Sequence, residues 1–150
     1  MNMASTQYSL DTESFEIYLS GCNGKCKGCH NPELKDFSLG VPLSPLVLED
    51  IIKKIKRFDT LIKHVWILGG EPLNQNHDEV ISLIRGLKIA NKNIWLWTRY
   101  EIQQIPTGIK NLCDYIKCGE YKEDLKTENN IQYGIKLATS NQKIYIKGEF

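Results

Sequence analysis

No stretch of this 150-residue chain approaches the roughly 20 consecutive apolar residues of a membrane-spanning helix. Residues 1–13 are polar and lack the apolar centre of a secretory signal, so export is not expected. Neither charge sign dominates: the net charge is +1, which argues against a general nucleic-acid-binding surface. Internal repeats, low-complexity tracts and a composition break that would mark a second domain are all missing. The remaining composition, 41% apolar and 25% charged, is that of an ordinary soluble chain. Its length suits one domain, residues 1–150, with a sizeable core. Five cysteines without an export signal indicate a reducing cytosol, where thiols serve metal or redox chemistry. The expectation is a cytoplasmic protein with no membrane or nucleic-acid partner.

Much of the chemistry is concentrated in one run, Gly21-Cys22-Asn23-Gly24-Lys25-Cys26-Lys27-Gly28-Cys29-His30. Cys22, Cys26 and Cys29 form a CxxxCxxC pattern. Three thiolates in one tight loop can hold three corners of an iron–sulfur cube, whereas the usual electron-transfer cluster takes four cysteines. One iron is then left without a protein ligand and can bind a substrate, as the open position of catalytic zinc does. The intervening glycines let the backbone take positive φ and wrap a compact ligand, and successive N–H groups in such turns form an anion-binding concavity suited to cluster sulfides. Lys25 and Lys27 either add positive charge beside the thiolates or are simply solvated. The rival reading is a structural zinc site with His30 as fourth ligand. Zinc sites usually draw on two separated pairs of ligands, and here three cysteines share one loop.

A second motif lies further on. Residues 64–68, His-Val-Trp-Ile-Leu, read as a buried strand that runs into Gly69-Gly70-Glu71-Pro72-Leu73. Two glycines at a strand end permit close backbone approach to a ligand. The Glu71 carboxylate beside two bare peptides can hold an ammonium group; the plain alternative is a tight turn.

Around these motifs, strands alternate with helices. Residues 14–20 read as a first strand, followed by the cluster loop, 21–31, within a connection that reaches residue 43; residues 1–12 are an N-terminal segment. Ser44 is a good N-cap and Pro45 suits the first helical position. Val47, Ile51, Ile55 and Phe58 then recur at helical spacing. Lys53, Lys54, Lys56 and Arg57 make this helix basic, either as a solvated face or as a docking face for an acidic partner. Asn76 and Glu79 resemble a capping box ahead of a helix carrying Val80, Ile81, Ile84, Leu87 and Ala90. Further strands are expected at 94–98 and 114–118, with a short helix from Tyr100 between them. A charged loop covers 119–130, and final strands are expected at 131–137 and 143–146. Such alternation implies βαβ units and a mostly parallel sheet. Four clear strands are too few for a closed eight-stranded barrel. Cys22, Gly69, Thr98 and Cys118 all fall at the same, C-terminal, strand ends, where barrel-like sheets carry their sites. Trp66, Trp95 and Trp97 are expected in the core, and Cys113 as a small buried hydrophobe.

CxxxCxxC after a first strand and Gly-Gly-Glu-Pro after a second resemble the radical S-adenosylmethionine (radical SAM) enzymes. Further segments narrow the likeness: Cys-x-Gly-Cys-His-Asn-Pro (26–32), Gly-Gly-Glu-Pro-Leu (69–73), Trp-Leu-Trp-Thr (95–98), Asp-Tyr-Ile-Lys-Cys-Gly (114–119) and Ser-Asn-Gln (140–142). Together, across roughly residues 14–147, they resemble the anaerobic (class III) ribonucleotide reductase activating proteins. The resemblance implies an α/β fold with an open, partial (β/α) barrel of the radical SAM type. It implies a [4Fe-4S] cluster on Cys22, Cys26 and Cys29, and S-adenosyl-L-methionine (SAM) chelated through its amino and carboxylate groups to the free iron. Gly69, Gly70 and Glu71 are expected at the methionine amino group, and His30 or a main-chain group at the adenine, since Gly28 stands where many radical SAM loops have an aromatic. Thr98 is expected at the ribose or methionine carboxylate, Lys117 and Cys118 at the pocket wall, and Asn141 at the cofactor or the C-terminal hairpin. The implied reaction cleaves SAM reductively to a 5′-deoxyadenosyl radical, which takes hydrogen from a glycine of the large subunit of the anaerobic ribonucleoside-triphosphate reductase. A low-potential donor such as flavodoxin would supply the electron. The chain departs from the family where Thr98-Arg99-Tyr100 replaces Thr-Gly-Tyr and where Cys118-Gly119 replaces Asp-Gly. Two alternatives stay open: another radical SAM enzyme, such as an activase of a different glycyl-radical enzyme, and a non-enzymatic zinc or iron–sulfur module.

Overall fold

The computed structural model describes residues 1–150. Its framework is one mixed sheet of seven strands in the order β3-β1-β2-β4-β5-β6-β9. The centre is parallel: β2 (Ser14–Leu19), β4 (His64–Gly69), β5 (Asn93–Trp97) and β6 (Tyr115–Cys118) lie side by side. Antiparallel strands flank it, β1 (Asn2–Ser9) and β3 (Val41–Pro42) on one side and β9 (Lys143–Ile146) on the other. Three α-helices accompany the sheet, α1 (Pro45–Arg57), α2 (His77–Leu87) and α3 (Thr107–Lys110). No helix is long and apolar enough to cross a membrane.

The period of two along each central strand sorts side chains to opposite faces. Phe15, Ile17 and Leu19, then Val65 and Ile67, Ile94 and Leu96, and Ile116 and Cys118 join α1 and α2 in one aliphatic core. The helices contribute Ile51 and Ile55 from α1 and Val80, Ile84 and Leu87 from α2. The other face carries Trp66 and Trp95, packed with Leu137 and Ile144, with Trp97 and Tyr115 against them.

The helix starts follow their caps. Ser44 Oγ accepts from Val47 N at 3.2 Å, with Pro45 at the first position. Asn76 Oδ1 accepts from the N–H groups of Asp78 and Glu79 at 2.9 and 3.2 Å. Glu79 does not reach back to close a capping box; it holds the Met1 ammonium at 2.8 Å. On α1, Lys53 and Lys54 pair with Glu49 and Asp50 one turn earlier, which favours the solvated-face reading.

Three elements differ from expectation. Residues 1–12, read as a plain polar segment, are mostly the strand β1, held by backbone pairing to β2 rather than by an apolar stripe. The helix expected from Tyr100 is a short 3₁₀ turn (Ile102–Gln104), and α3 begins only after Pro106, which cannot supply the N–H that a continuous helix would need. The single strand expected at 131–137 is a hairpin of β7 (Ile131–Gln132) and β8 (Ile135–Lys136). Tyr133 and Gly134 both take positive φ between them, as a tight hairpin turn requires.

Candidate iron–sulfur site

The C-terminal ends of the parallel strands border a cavity of about 540 Å³. Cys22, Cys26 and Cys29 line it from the loop after β2, Gly69, Gly70 and Glu71 from the turn after β4, and Thr98 and Lys117 from the ends of β5 and β6. All three thiols are free and half-buried.

The base of the cysteine loop is fixed by backbone contacts. Gly21 N donates to Leu34 O at 2.7 Å and Cys22 N to Lys35 O at 3.4 Å. Gly21, at φ +103°, packs so tightly on Phe37 that a Cβ would lie 2.2 Å from the ring. Gly24 N donates to Cys22 Sγ at 3.2 Å. Burial pushes the Cys22 thiol up, against the pull of that N–H and of the Arg99 guanidinium.

The Gly-Gly-Glu-Pro turn is clamped onto this loop. Gly70 N donates to Leu19 O at 2.8 Å and Glu71 N to Gly21 O at 2.9 Å. A Cβ on Gly69 would stand 2.5 Å from Leu19 N and O, and one on Gly70 2.5 Å from Gly21 O. Both glycines are therefore required by the chain's own backbone, a nearer cause than approach to a ligand.

Glu71 is the hub. It is 1% exposed, and Oε1 accepts from Leu73 N at 2.9 Å and from Thr98 Oγ1 at 2.7 Å. Oε2 accepts from Arg99 N at 2.8 Å. A carboxylate offers about four acceptor positions, so one remains on Oε2. Burial pushes the Glu71 carboxyl up, while the three hydrogen bonds hold it back. Thr98 is itself 4% exposed; it donates to Glu71 and accepts from Tyr100 N at 3.2 Å. Its hydroxyl thus supports Glu71 at the cavity where a ribose or methionine-carboxylate contact was expected of it.

The remaining expected residues divide. Lys117 lines the cavity, 8% exposed. Cys118 points the other way, into the aliphatic core at 1% exposure, and burial pushes its thiol up to about 12. Cys113 is equally buried, also at about 12, and donates to Ile109 O at 3.4 Å. His30 borders the cavity with its ring against Tyr121, centroids 4.9 Å apart. Asn141 does not line the cavity: its Nδ2 donates to Glu120 O at 3.0 Å, tying two loops together. The next residue, Gln142, lines it instead, bracing residues 138 and 139 through its carbonyl and Gly119 through its amide. Arg99 and Tyr121 are among the lining residues to which the sequence alone gave no role. Arg99 Nη1 and Cys22 Sγ flank Gly24, 2.8 and 3.1 Å from where its Cβ would be. The signal for Arg99 was present, because it replaces a glycine of the related pattern.

The donor set fits a three-thiolate cluster. Three free thiols from one loop line a single cavity, the donor type that iron–sulfur clusters take. Arg99 supplies positive charge beside them, and the two other cysteines face away into the core.

Fold and site define a class: an α/β protein that presents a three-thiol loop and a buried carboxylate at one edge of a parallel sheet. The family described as the 4Fe-4S single cluster domain matches residues 14–145, and the chain belongs to it. Proteins named anaerobic ribonucleoside-triphosphate reductase-activating protein are similar to it. The one from Escherichia coli (strain K12) is 28% identical over 137 residues, 86% of this chain and 85% of the relative. The one from Haemophilus influenzae is 31% identical over 105 residues, 67% and 66% of the two chains. The one from Enterobacteria phage T4 is 28% identical over 116 residues, 75% and 73%.

Proposed function

We propose that this protein activates an anaerobic ribonucleotide reductase by radical SAM chemistry, as a single domain in a reducing cytosol. One observation carries the reading: the three-thiol loop and Glu71, with one acceptor position open, share a cavity at the strand ends. The names of the relatives support the partner. When bound, a [4Fe-4S] cluster supplies the electron that splits the SAM sulfonium into methionine and a 5′-deoxyadenosyl radical, which takes an α-hydrogen from a glycine of the reductase.

In this reading Cys22, Cys26 and Cys29 would hold the cluster through their thiolates, with a position left open for SAM. Glu71 takes the methionine amino group at its free Oε2 position, and Leu73 N, Thr98 Oγ1 and Arg99 N hold the carboxylate still. Gly69 and Gly70 fix the distance between the cysteine loop and Glu71 by backbone packing. His30, with Tyr121, borders the nucleoside side. Arg99 balances thiolate charge. β2, β4, β5 and β6 with their helices form an open, partial (β/α) barrel of the radical SAM type, and the open side admits a loop of the partner. Iron–sulfur potentials extend to about −700 mV, and a low-potential donor such as flavodoxin supplies the electron. Holding the sulfonium beside its electron source is the protein's main contribution, with exclusion of water.

The test is anaerobic: reconstitute with iron and sulfide, reduce with dithionite, add SAM and assay 5′-deoxyadenosine. Product is expected, and is expected to vanish in Cys26→Ala. A co-expressed anaerobic reductase should then acquire a glycyl-radical EPR doublet. No 5′-deoxyadenosine, with about one zinc per chain in place of roughly four irons, would overturn the reading.

A further inference from the structure

Arg99 stands where the related pattern has glycine, yet its φ is negative, so the backbone there demands neither glycine nor any particular side chain. Its N–H holds Glu71 at 2.8 Å, a contact that any residue but proline supplies. What the arginine adds is a guanidinium. That group reaches back over the cysteine loop, where Nη1 and Cys22 Sγ flank Gly24. The thiolates of Cys26 and Cys22 both stabilise its charge. Arg99 and Cys26 line the main cavity and also a second groove, which they share with Lys25, Lys27 and Glu120. The guanidinium is poorly satisfied by the protein. Its side chain is 29% exposed, and its one ion pair is loose, Nη1 to Glu120 Oε2 at 3.8 Å. Nε is buried with no hydrogen-bond partner, and the Tyr100 ring lies 5.1 Å away. Burying much of a charge with so few partners is costly, and glycine would avoid that cost.

A [4Fe-4S] cluster held by three thiolates is anionic, and reduction makes it more so by one charge. Reduction adds one electron, from dithionite or another low-potential donor, and neither makes nor breaks a bond. Net charge near the cluster is one of the quantities that set iron–sulfur potentials. A fixed positive charge beside the thiolates stabilises the reduced form more than the oxidised one. A guanidinium keeps its proton at any working pH. Lys25 and Lys27 are exposed, and salt screens such charges far more than a largely buried one. We infer that Arg99 sets how easily the cluster is reduced, and that Glu120 damps the effect. Arg99 raises the potential, and the carboxylate 3.8 Å from it cancels part of its charge. This rests on the iron–sulfur reading and adds to it a pair that tunes the electron step without touching SAM. The consequence is two-sided. The protein accepts an electron from a weaker reductant than it would with glycine here, and passes it to the sulfonium with less driving force.

A redox titration of the reconstituted protein tests this, read by the EPR signal of the reduced cluster, with iron counted in each sample and no SAM present. Arg99→Met should lower the midpoint, so that the ratio of reduced to oxidised cluster at a fixed potential falls about tenfold or more, about 59 mV for one electron. Arg99→Lys should keep most of the wild-type midpoint, which separates lost charge from lost packing. Glu120→Gln should move the midpoint the opposite way, by less. If Arg99→Met holds no iron, Arg99→Gly, the residue of the related pattern, carries the same expectation. A ratio within about twofold of wild type in the neutral variants, an equal fall in Arg99→Lys, or a lowered midpoint in Glu120→Gln would overturn the inference and leave the radical SAM reading standing. Wild type that reconstitutes with zinc alone, or with no cluster, would overturn that reading and the inference with it.

Discussion

The two faces of the parallel sheet obey different rules. The helix-facing side holds aliphatic side chains packed to near-zero exposure, and its two cysteines behave as apolar filler, their thiols pushed up to about 12 by burial. The other side ends in half-buried thiols, a buried carboxylate and a buried amine that never meet in an ion pair. Both faces come from the same strands, often from adjacent residues: Lys117 and Cys118 are neighbours with opposite environments. One face satisfies every preference that builds a stable core, and the other leaves polar groups short of partners around a cavity. Local rules are broken where a ligand completes the structure.

The sharpest way to break this comparison is to exchange cysteines between the faces. Cys26→Ala should abolish cluster retention and 5′-deoxyadenosine formation. Cys118→Ala should leave iron and sulfide content unchanged and cost about 1–2 kcal/mol of stability, the price of a small core cavity. Iron and sulfide analysis beside a denaturant melt reads both. Iron loss in Cys118→Ala would mean that the two faces are not separate.

Next in size is Glu71. Glu71→Ala removes the open acceptor and strands three donors, Leu73 N, Arg99 N and Thr98 Oγ1. SAM affinity should fall by about 2 kcal/mol or more, with iron content retained. Thr98→Val removes only one support of Glu71, so it should cost about 1 kcal/mol. Dialysis with labelled SAM gives both numbers. A larger loss for Thr98→Val than for Glu71→Ala would make Thr98 the direct contact.

Much of this was legible in the sequence, and the failures have physical causes. The cysteine loop and the Gly-Gly-Glu-Pro turn announce themselves because few chemistries need those residues at those spacings. The four central strands show as apolar runs, and the caps at Ser44 and Asn76 follow from side-chain oxygens placed before helical periodicity. β1 was hidden because an edge strand held by backbone pairing needs no apolar stripe. The hairpin at Tyr133 and Gly134 was hidden inside a run that reads as one strand. The roles of Thr98 and Asn141 depend on which partner each side chain finds in three dimensions, and spacing does not encode that choice. Lys117 was partly readable: with Ile116 and Cys118 in the core, period two puts it on the opposite face.

An effect of opposite sign, on stability and not on binding, belongs to Lys117. Its amine titrates near 8 in the folded protein, against 10.5 ordinarily. Below about pH 8 it is charged in both folded and unfolded chains, and the folded state bears the full cost of burying that charge. As pH rises from about 8 to 10.5 the folded protein has released the proton and the unfolded chain still binds it, so stability gains with pH through this window. The gain is at most about 3 kcal/mol. Lys117→Met should therefore make the ligand-free protein more stable at pH 7 and flatten its stability between pH 8 and 10.5, in melts at fixed denaturant. A destabilised Lys117→Met would mean that the Gly119 carbonyl and the Trp97 ring already satisfy the amine.

The smallest effect lies on the helix side. Ser44 caps α1 through Val47 N, and α1 meets the sheet through Ile51 and Ile55, within the aliphatic core. Ser44→Ala should cost about 1 kcal/mol of stability. Because that cost falls on the face without open polar groups, iron content and SAM affinity should not move. Thermal melts and iron counts on one preparation check both halves. If loss of the cap also loosened the cluster, strain would be passing through the sheet from one face to the other, and the separation between a finished core and an unfinished site would be one of degree.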